Sequence, residues 1–154
     1  METVMNKNII NQFRGKYFFL SNFYISPFLV DNIEYQTVEH FFQSHKTLHS
    51  DEFNWILESR KPGIAKSRGR KVILRDGWEN MKNWIMLEGL YHKFSQNLAL
   101  KQSLLDTDNY HLIEGNYWHD NYWGDCYCDK CNNIKGKNKL GILLMNLRTK
   151  FREE

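Results

Sequence analysis

Glu39, Phe42, Gln43 and Lys46 stand at i, i+3, i+4 and i+7, so a helix over this stretch carries a carboxylate, an amide and an amine on one stripe. Such a stripe is what the wall of a polar pocket needs. Thr37 is a good N-cap, which places Glu39 in the first turn, where the helix dipole favours an ionised carboxylate. An ionised carboxylate can act as a base or steady a cation, and it is unsuited to act as a general acid. The same residues also read as an ordinary surface face, with a Glu that suits the dipole and a solvated Lys.

Three further segments carry chemical side chains. Residues 116 to 125 read N-Y-W-H-D-N-Y-W-G-D, the phrase N-Y-W-x-D written twice. Asn, Asp and Gly make it a poor helix and a poor strand, but Tyr117, Trp118, Tyr122 and Trp123 offer flat rings for stacking on a heterocycle. The bland reading is that the rings cover a hydrophobic edge. Gly136-Lys137-Asn138-Lys139-Leu140-Gly141 runs into the last helix, with Asn138 as N-cap; backbone donors there, beside two lysines, would make an anion site. A plain basic turn is the alternative. Gly69-Arg70 and Leu74-Arg75-Asp76-Gly77-Trp78 offer two arginines for clamping a phosphate, and a Trp78 ring that faces either a ligand or the core.

Other chemistries lack their signatures. His40, His45, His49, His92, His111 and His119 include no H-E-x-x-H, and neither a P-loop nor G-x-S-x-G occurs. Serine hydrolase, zinc hydrolase, triphosphate hydrolysis and Rossmann dehydrogenase are therefore unsupported. Cys126, Cys128 and Cys131 are three cysteines in six residues, too odd a set for a secreted disulfide framework. Their C-x-C-x2-C spacing has no fourth cysteine, and His119 or Asp125 would complete a zinc site only if the segment folded back sharply. Free thiols are the favoured reading, and no metal is assigned.

The chain has 154 residues, 42% hydrophobic and 25% charged, with a formal net charge of +3. That is one soluble domain, mild enough in charge for phosphate-bearing small molecules and too mild to coat DNA. Aromatic content of 15% is high and rich in Tyr and Trp. No apolar run reaches membrane-span length and the start lacks a signal-peptide core, so a cytoplasmic protein is expected.

The elements that must position these groups follow from pattern. Phe28-Leu29-Val30, Asp31-Asn32 and Ile33-Glu34-Tyr35 read as a hairpin with a two-residue turn, entered at Pro27. Helices are expected over 38–48, then from an Asp51 cap through Phe53, Trp55, Ile56 and Leu57; Pro62-Gly63 then punctuate, ahead of a basic stretch. Asp76 should open the longest helix, with Trp78, Met81, Ile85, Leu90 and Phe94 inward. A short helix over 98–105 and a strand over 110–114 precede the aromatic phrase. Leu140, Leu143, Leu144, Leu147 and Phe151 mark a strong final helix. The class is α+β: one helix-dominated domain over residues 1–154 around a small antiparallel sheet, its first twelve or so residues flexible.

In order along the chain, these pieces resemble the YbiA-like N-glycosidase family, also called the NADAR family. The matching text is Phe19-Leu20-Ser21-Asn22-Phe23, Pro27-Phe28, Val38-Glu39-His40-Phe41-Phe42-Gln43 with Lys46, and Gly69-Arg70. It continues with Leu74-Arg75-Asp76-Gly77-Trp78, Lys82, Met86, Lys93-Phe94, Tyr122-Trp123-Gly124-Asp125, Gly136-Lys137-Asn138, Leu140-Gly141 and Leu143-Leu144-Met145. The likeness runs from about Phe13 to Arg148. It departs at Cys126 to Ile134, which lengthens the loop before Gly136 and puts substrate preference in doubt.

The resemblance implies hydrolysis of the bond between a ribose and a nitrogen base, without an obligatory cofactor. One branch of the family acts on phosphoribosylated riboflavin-pathway intermediates; another removes ADP-ribose from guanine in DNA. It implies a site of Asn22, Phe23, Glu39, Lys46, Trp78, Trp123 and Asp125, assembled as a cup from distant stretches. Glu39 would steady the ribosyl cation or activate water, and Asp125 would orient the ribose or assist the leaving base. Trp123 and Trp78 would stack on the base or close the pocket, Gln43 would line the wall, and Arg75, Lys137, Asn138 and the Gly136 turn would hold phosphate. Lys46 offers a Schiff-base route if its amine is neutral, yet Glu39 on the same face would raise its pKa. The rival from another class is a module that binds ADP-ribose or a nucleotide without cleaving it.

Overall fold

A computed structural model describes residues 8–154. The order along the chain is β1 (Ile9–Ile10), a 3-10 helix (Gly15–Leu20), β2 (Phe28–Val30), β3 (Ile33–Tyr35), α1 (Val38–Ser44), α2 (Ser50–Leu57), α3 (Pro62–Gly69) and α4 (Trp78–Gln96). Then come α5 (Leu98–Leu105), β4 (His111–Leu112), β5 (Gly115–Asn116), β6 (Asp125–Cys126), a 3-10 turn (Asp129–Cys131) and α6 (Lys139–Arg152). The α+β, helix-dominated class is the one expected. The small sheet is three separate pairs, β2–β3 antiparallel and β1–β4 and β5–β6 parallel. Of the N-terminal stretch expected to be flexible, residues 1–7 lie outside the described residues, and Ile9–Ile10 form β1. Among the described residues no helix is long and apolar enough to cross a membrane.

The chain divides into two compact units, one spanning Asn22–Leu98 and the other joining the residues up to Ser21 with Ala99–Glu154. In the first, the hairpin turns at Asp31 and Asn32 with φ of 53° and 67°, the pair of positive angles that a two-residue turn requires. Its Phe28 and Tyr35 rings pack on Phe41 of α1, with centroids 5.8 and 4.9 Å away. Thr37 caps α1, its hydroxyl accepting the His40 N–H at 3.1 Å. α1 ends at Ser44, four residues before the expected boundary, and all seven of its residues are buried. A stripe that could have been a solvated face is therefore an interior one.

Other boundaries shift for local reasons. Asp51 sits inside the first turn of α2, with His49 at the cap, and Pro62 opens α3 at its first position, where a missing N–H costs nothing. α4 starts at Trp78 after Gly77, whose φ is +79°, and Asp76 lies outside it. Trp78, Ile85, Leu90 and Phe94 face inward as expected; Met81 is only half-buried, and Met86 and Lys93 join the interior.

In the second unit β4 packs on α6, and Leu104, Leu112, Leu140, Leu144, Leu147 and Phe151 are buried. Only His111–Leu112 of the expected strand over 110–114 is regular, because Gly115 starts a second short pairing with Asp125. Arg148, buried on α6, donates to the Thr107 hydroxyl at 2.8 Å.

Candidate active site

The Asn22–Leu98 unit holds seven of the twelve expected residues. Glu39 is buried, and the Gln43 side-chain amide donates to its Oε2 at 2.7 Å, as i, i+4 spacing on one helix allows. The Glu39 backbone N–H donates to the Asn22 carbonyl at 3.1 Å, tying the segment before the hairpin to the start of α1. Asn22 is itself buried, its Nδ2 pointing at the Met86 sulfur, 3.4 Å away. Two acceptor oxygens, Asn22 Oδ1 and Gln43 Oε1, are buried without a hydrogen-bond partner in the protein. Buried polar atoms are rarely left so.

Gly69, at the end of α3, makes room for this arrangement. A Cβ there would stand 1.9 Å from Gln43 Oε1 and 2.8 Å from its Cδ. The glycine in Gly69-Arg70 is thus needed for close packing, a role that its sequence neighbours did not reveal.

Lys46 lies just beyond α1, half-buried, with Nζ over the Phe42 ring at 5.7 Å from the centroid. Burial pushes its pKa below the ordinary lysine value; Glu39 pulls it up, and Arg70, Lys66 and Lys82 push it down further. The opposition between burial and Glu39 is resolved in favour of burial. Arg70 was expected as a phosphate clamp, whereas Lys66 and Lys82 carry no site role in the sequence reading, although the Lys66–Lys71 stretch was legible as basic.

Trp78 is 4% exposed and its ring centroid lies 5.1 Å from that of Phe42. It supports Phe42 from the interior and offers no open face for stacking. Arg75 donates its backbone N–H to the Lys46 carbonyl at 2.8 Å, and its guanidinium Nη1 approaches the His45 carbonyl at 3.4 Å. Its Nε is buried without a partner. Phe23 is half-buried, near Gly63 at the start of α3. His40 is structural, bonded to the Thr37 hydroxyl through Nδ1 and the Ser59 carbonyl through Nε2, with burial lowering its pKa.

The second unit gathers Trp123, Asp125, Gly136, Lys137 and Asn138. Its aromatic phrase is a run of side-chain-capped turns. Asn116 Oδ1 accepts the N–H groups of Trp118 and Asp120, and Asp120 Oδ1 accepts those of Tyr122 and Trp123. Tyr117 and Trp118 are exposed, whereas Tyr122 and Trp123 are half-buried and meet edge to face at 4.9 Å. The two copies of the phrase are therefore not equivalent in space.

The anion cradle expected at the start of α6 is not formed. The N–H groups of Lys137, Asn138, Lys139 and Leu140 donate to the carbonyls of Asn121, Gly124, Tyr122 and Trp123, at 2.8 to 3.1 Å. The Gly136 N–H goes to Asp125 Oδ1 at 2.8 Å. Donors that looked open in the local sequence are spent on holding the aromatic loop. Asn138 occupies the cap position with φ of 51° but does not cap; its side chain bonds the Leu112 carbonyl and the Glu114 N–H. Lys137 keeps its Nζ over the Tyr122 ring at 5.6 Å. Gly136 is required sterically, since a Cβ would stand 2.4 Å from the Gly124 carbonyl oxygen.

Residues 10–152 match the NADAR domain family. The chain belongs to that family. Similar proteins include N-glycosidase YbiA of Shigella flexneri, 37% identical over 96% of this chain and 91% of that protein. N-glycosidase R617 of Acanthamoeba polyphaga mimivirus is 35% identical over 75% of this chain and 74% of its own length. The NMR structure of Escherichia coli YbiA superposes with a TM-score of 0.84 at 36% identity, covering 97% of this chain and 88% of that one. These NADAR relatives are N-glycosidases by name, and in this chain Glu39 and Gln43 are buried on α1 with a half-buried Lys46 just beyond it.

Proposed function

We propose that this member of an N-glycosidase family hydrolyses the bond between ribose and a nitrogen base, with phosphoribosylated riboflavin-pathway intermediates as substrates. The observation that carries this reading is the buried Glu39–Gln43 pair with half-buried Lys46 on the same stripe, and with Asn22 Oδ1 and Gln43 Oε1 left to accept hydrogen bonds. Breaking the bond builds positive charge on the anomeric carbon, and an ionised Glu39 is the group suited to steady it. The two unpartnered oxygens suit ribose hydroxyls. The cations near Lys46 (Lys66, Arg70 and Lys82) favour a substrate that carries phosphate.

Lys46 supports a covalent variant of the same reaction. A glycosylamine opens its ring to an imine, and a neutral Lys46 amine attacks C1 and expels the base as a free amine. Water then hydrolyses the lysine Schiff base, returning the sugar and the amine. The lowered pKa of Lys46 makes that amine available at a milder pH than an exposed lysine would.

The test is incubation of the protein with a phosphoribosylated aminopyrimidine and, separately, with ADP-ribosylated DNA, followed by assay for freed sugar. Release of ribose 5-phosphate from the first, changing little with salt, is expected. Release from DNA alone, weakening steeply with salt, would transfer the substrate to the modified nucleic acid. Release from neither would leave a binding module. Borohydride added during turnover should trap a sugar on Lys46; an enzyme that turns over without ever being trapped uses direct attack by water.

A further inference from the structure

We propose that His119, Cys126, Cys128 and Cys131 form a structural zinc site that fixes the loop bearing Trp123 and Asp125. The sharp fold-back that argues from sequence against such a site is made at His119, which adopts a φ of +71°. That left-handed conformation is uncommon outside Gly, and Asn, Asp and His are the side chains that adopt it most readily. It swings the imidazole back onto the cysteines. Nδ1 lies 3.4 Å from Cys131 Sγ, 3.3 Å from Cys128 Sγ and 3.9 Å from Cys126 Sγ. The four ligand atoms are all within 4.8 Å of one another.

Hydrogen bonding alone does not account for that convergence. A single ring nitrogen has one proton or one lone pair, so it can serve one of three sulfurs and not all of them. A tetrahedral zinc ion, with Zn–S of about 2.3 Å and Zn–N of about 2.0 Å, sets N···S edges of roughly 3.5 Å. The observed separations straddle that value. Three thiolates and an imidazole are the donor set zinc takes in structural sites, and four protein ligands leave no position open for catalysis.

The surroundings are built for thiolates. The Asn121 side-chain amide donates to Cys131 Sγ at 3.3 Å, and its orientation is fixed because its Oδ1 accepts the Cys126 N–H at 2.9 Å. The Cys128 N–H donates to Cys126 Sγ at 3.5 Å. Donors around the sulfurs are the usual support of a metal centre. Cys126 and Cys131 are buried, and none of the three cysteines is in a disulfide. A metal here would join His119, on one side of the 120–125 segment, to Cys126, Cys128 and Cys131 on the other. The lengthened Cys126–Ile134 stretch then has a purpose: it closes the aromatic loop from behind.

Metal binding does not depend on the glycosidase reading; only its effect on turnover does. The full chain, expressed with zinc in the medium and desalted, should carry about one zinc per molecule by elemental analysis. Replacement by cobalt(II) should give the charge-transfer and ligand-field bands of a tetrahedral thiolate complex. Cys128→Ser and His119→Ala, changes at half-exposed and exposed positions, should each cut zinc occupancy at least fivefold. A wild-type chain that stays metal-free after zinc addition, with all three thiols open to a thiol reagent, overturns the proposal. So does full occupancy in both variants, or a disulfide within the cluster. If a variant fails to fold, the wild-type cobalt spectrum decides: bands of three thiolates support the site, and bands of one or none refute it.

Discussion

Glu39→Gln removes one charge from the buried stripe and little else. Glu39 Oε2 now accepts the Gln43 amide at 2.7 Å, and Gln43 Oε1 has no partner. With an amide at position 39, the Gln43 side chain can turn over, so that its Oε1 accepts from the introduced NH2. The hydrogen bond is exchanged and not lost, and the fold should change by no more than about 1 kcal/mol. For a chain of this size that shifts Tm by roughly 2–4 °C. Turnover should behave differently. A carboxylate about 4 Å from a developing unit charge, at an effective dielectric constant near 20, contributes about 4 kcal/mol. At 1.36 kcal/mol per decade, kcat should fall by about a thousandfold. Single-turnover release of ribose phosphate measures it, with circular dichroism confirming the fold. Because Glu39 also raises the Lys46 pKa, the rise in rate that accompanies loss of the Lys46 proton should move to lower pH. A correctly folded variant that keeps more than about a tenth of wild-type kcat would remove Glu39 from the chemistry.

Gly69→Ala puts a methyl group 1.9 Å from Gln43 Oε1, so the amide must leave its place beside Glu39. Loss of tenfold or more in kcat/KM with far-UV circular dichroism unchanged is expected, and unaltered kinetics would show that Gln43 takes no part. Lys93 is buried on α4, and burial pushes its pKa down to about 7, against about 10.4 in an unfolded chain. Between those values the unfolded state binds more protons, so this group makes stability increase with pH from about 7 towards 10.4, by up to about 1.4 kcal/mol per pH unit. Lys93→Met should remove that dependence and raise stability at neutral pH. Urea unfolding of both proteins at pH 7 and pH 9 is the check, and identical pH dependence in the two would refute the assignment.

The parts of this structure that were legible are those whose cause is local. Asp31-Asn32 could be read as a tight turn because both residues tolerate positive φ, and Thr37 as a cap because its acceptor lies three residues away. Glu39, Gln43 and Lys46 could be placed on one face by helical spacing alone. What spacing could not supply is the partner from a distant stretch. The start of α6 reads as an open set of donors, yet the carbonyls of Asn121, Tyr122, Trp123 and Gly124 occupy them, so the lysines there adorn a filled turn. Lys93 shows the same limit: a helical pattern marks its face as interior, but its residue type argues for solvent, and tertiary packing overrides the type. His119 is the most instructive case. Its positive φ is announced less strongly than one at Gly would be, although His, like Asn and Asp, is enriched in that region. Bonds to a shared metal ion would account for one imidazole and three sulfurs lying within 4.8 Å of one another, which a hydrogen bond from one ring nitrogen to one thiol does not.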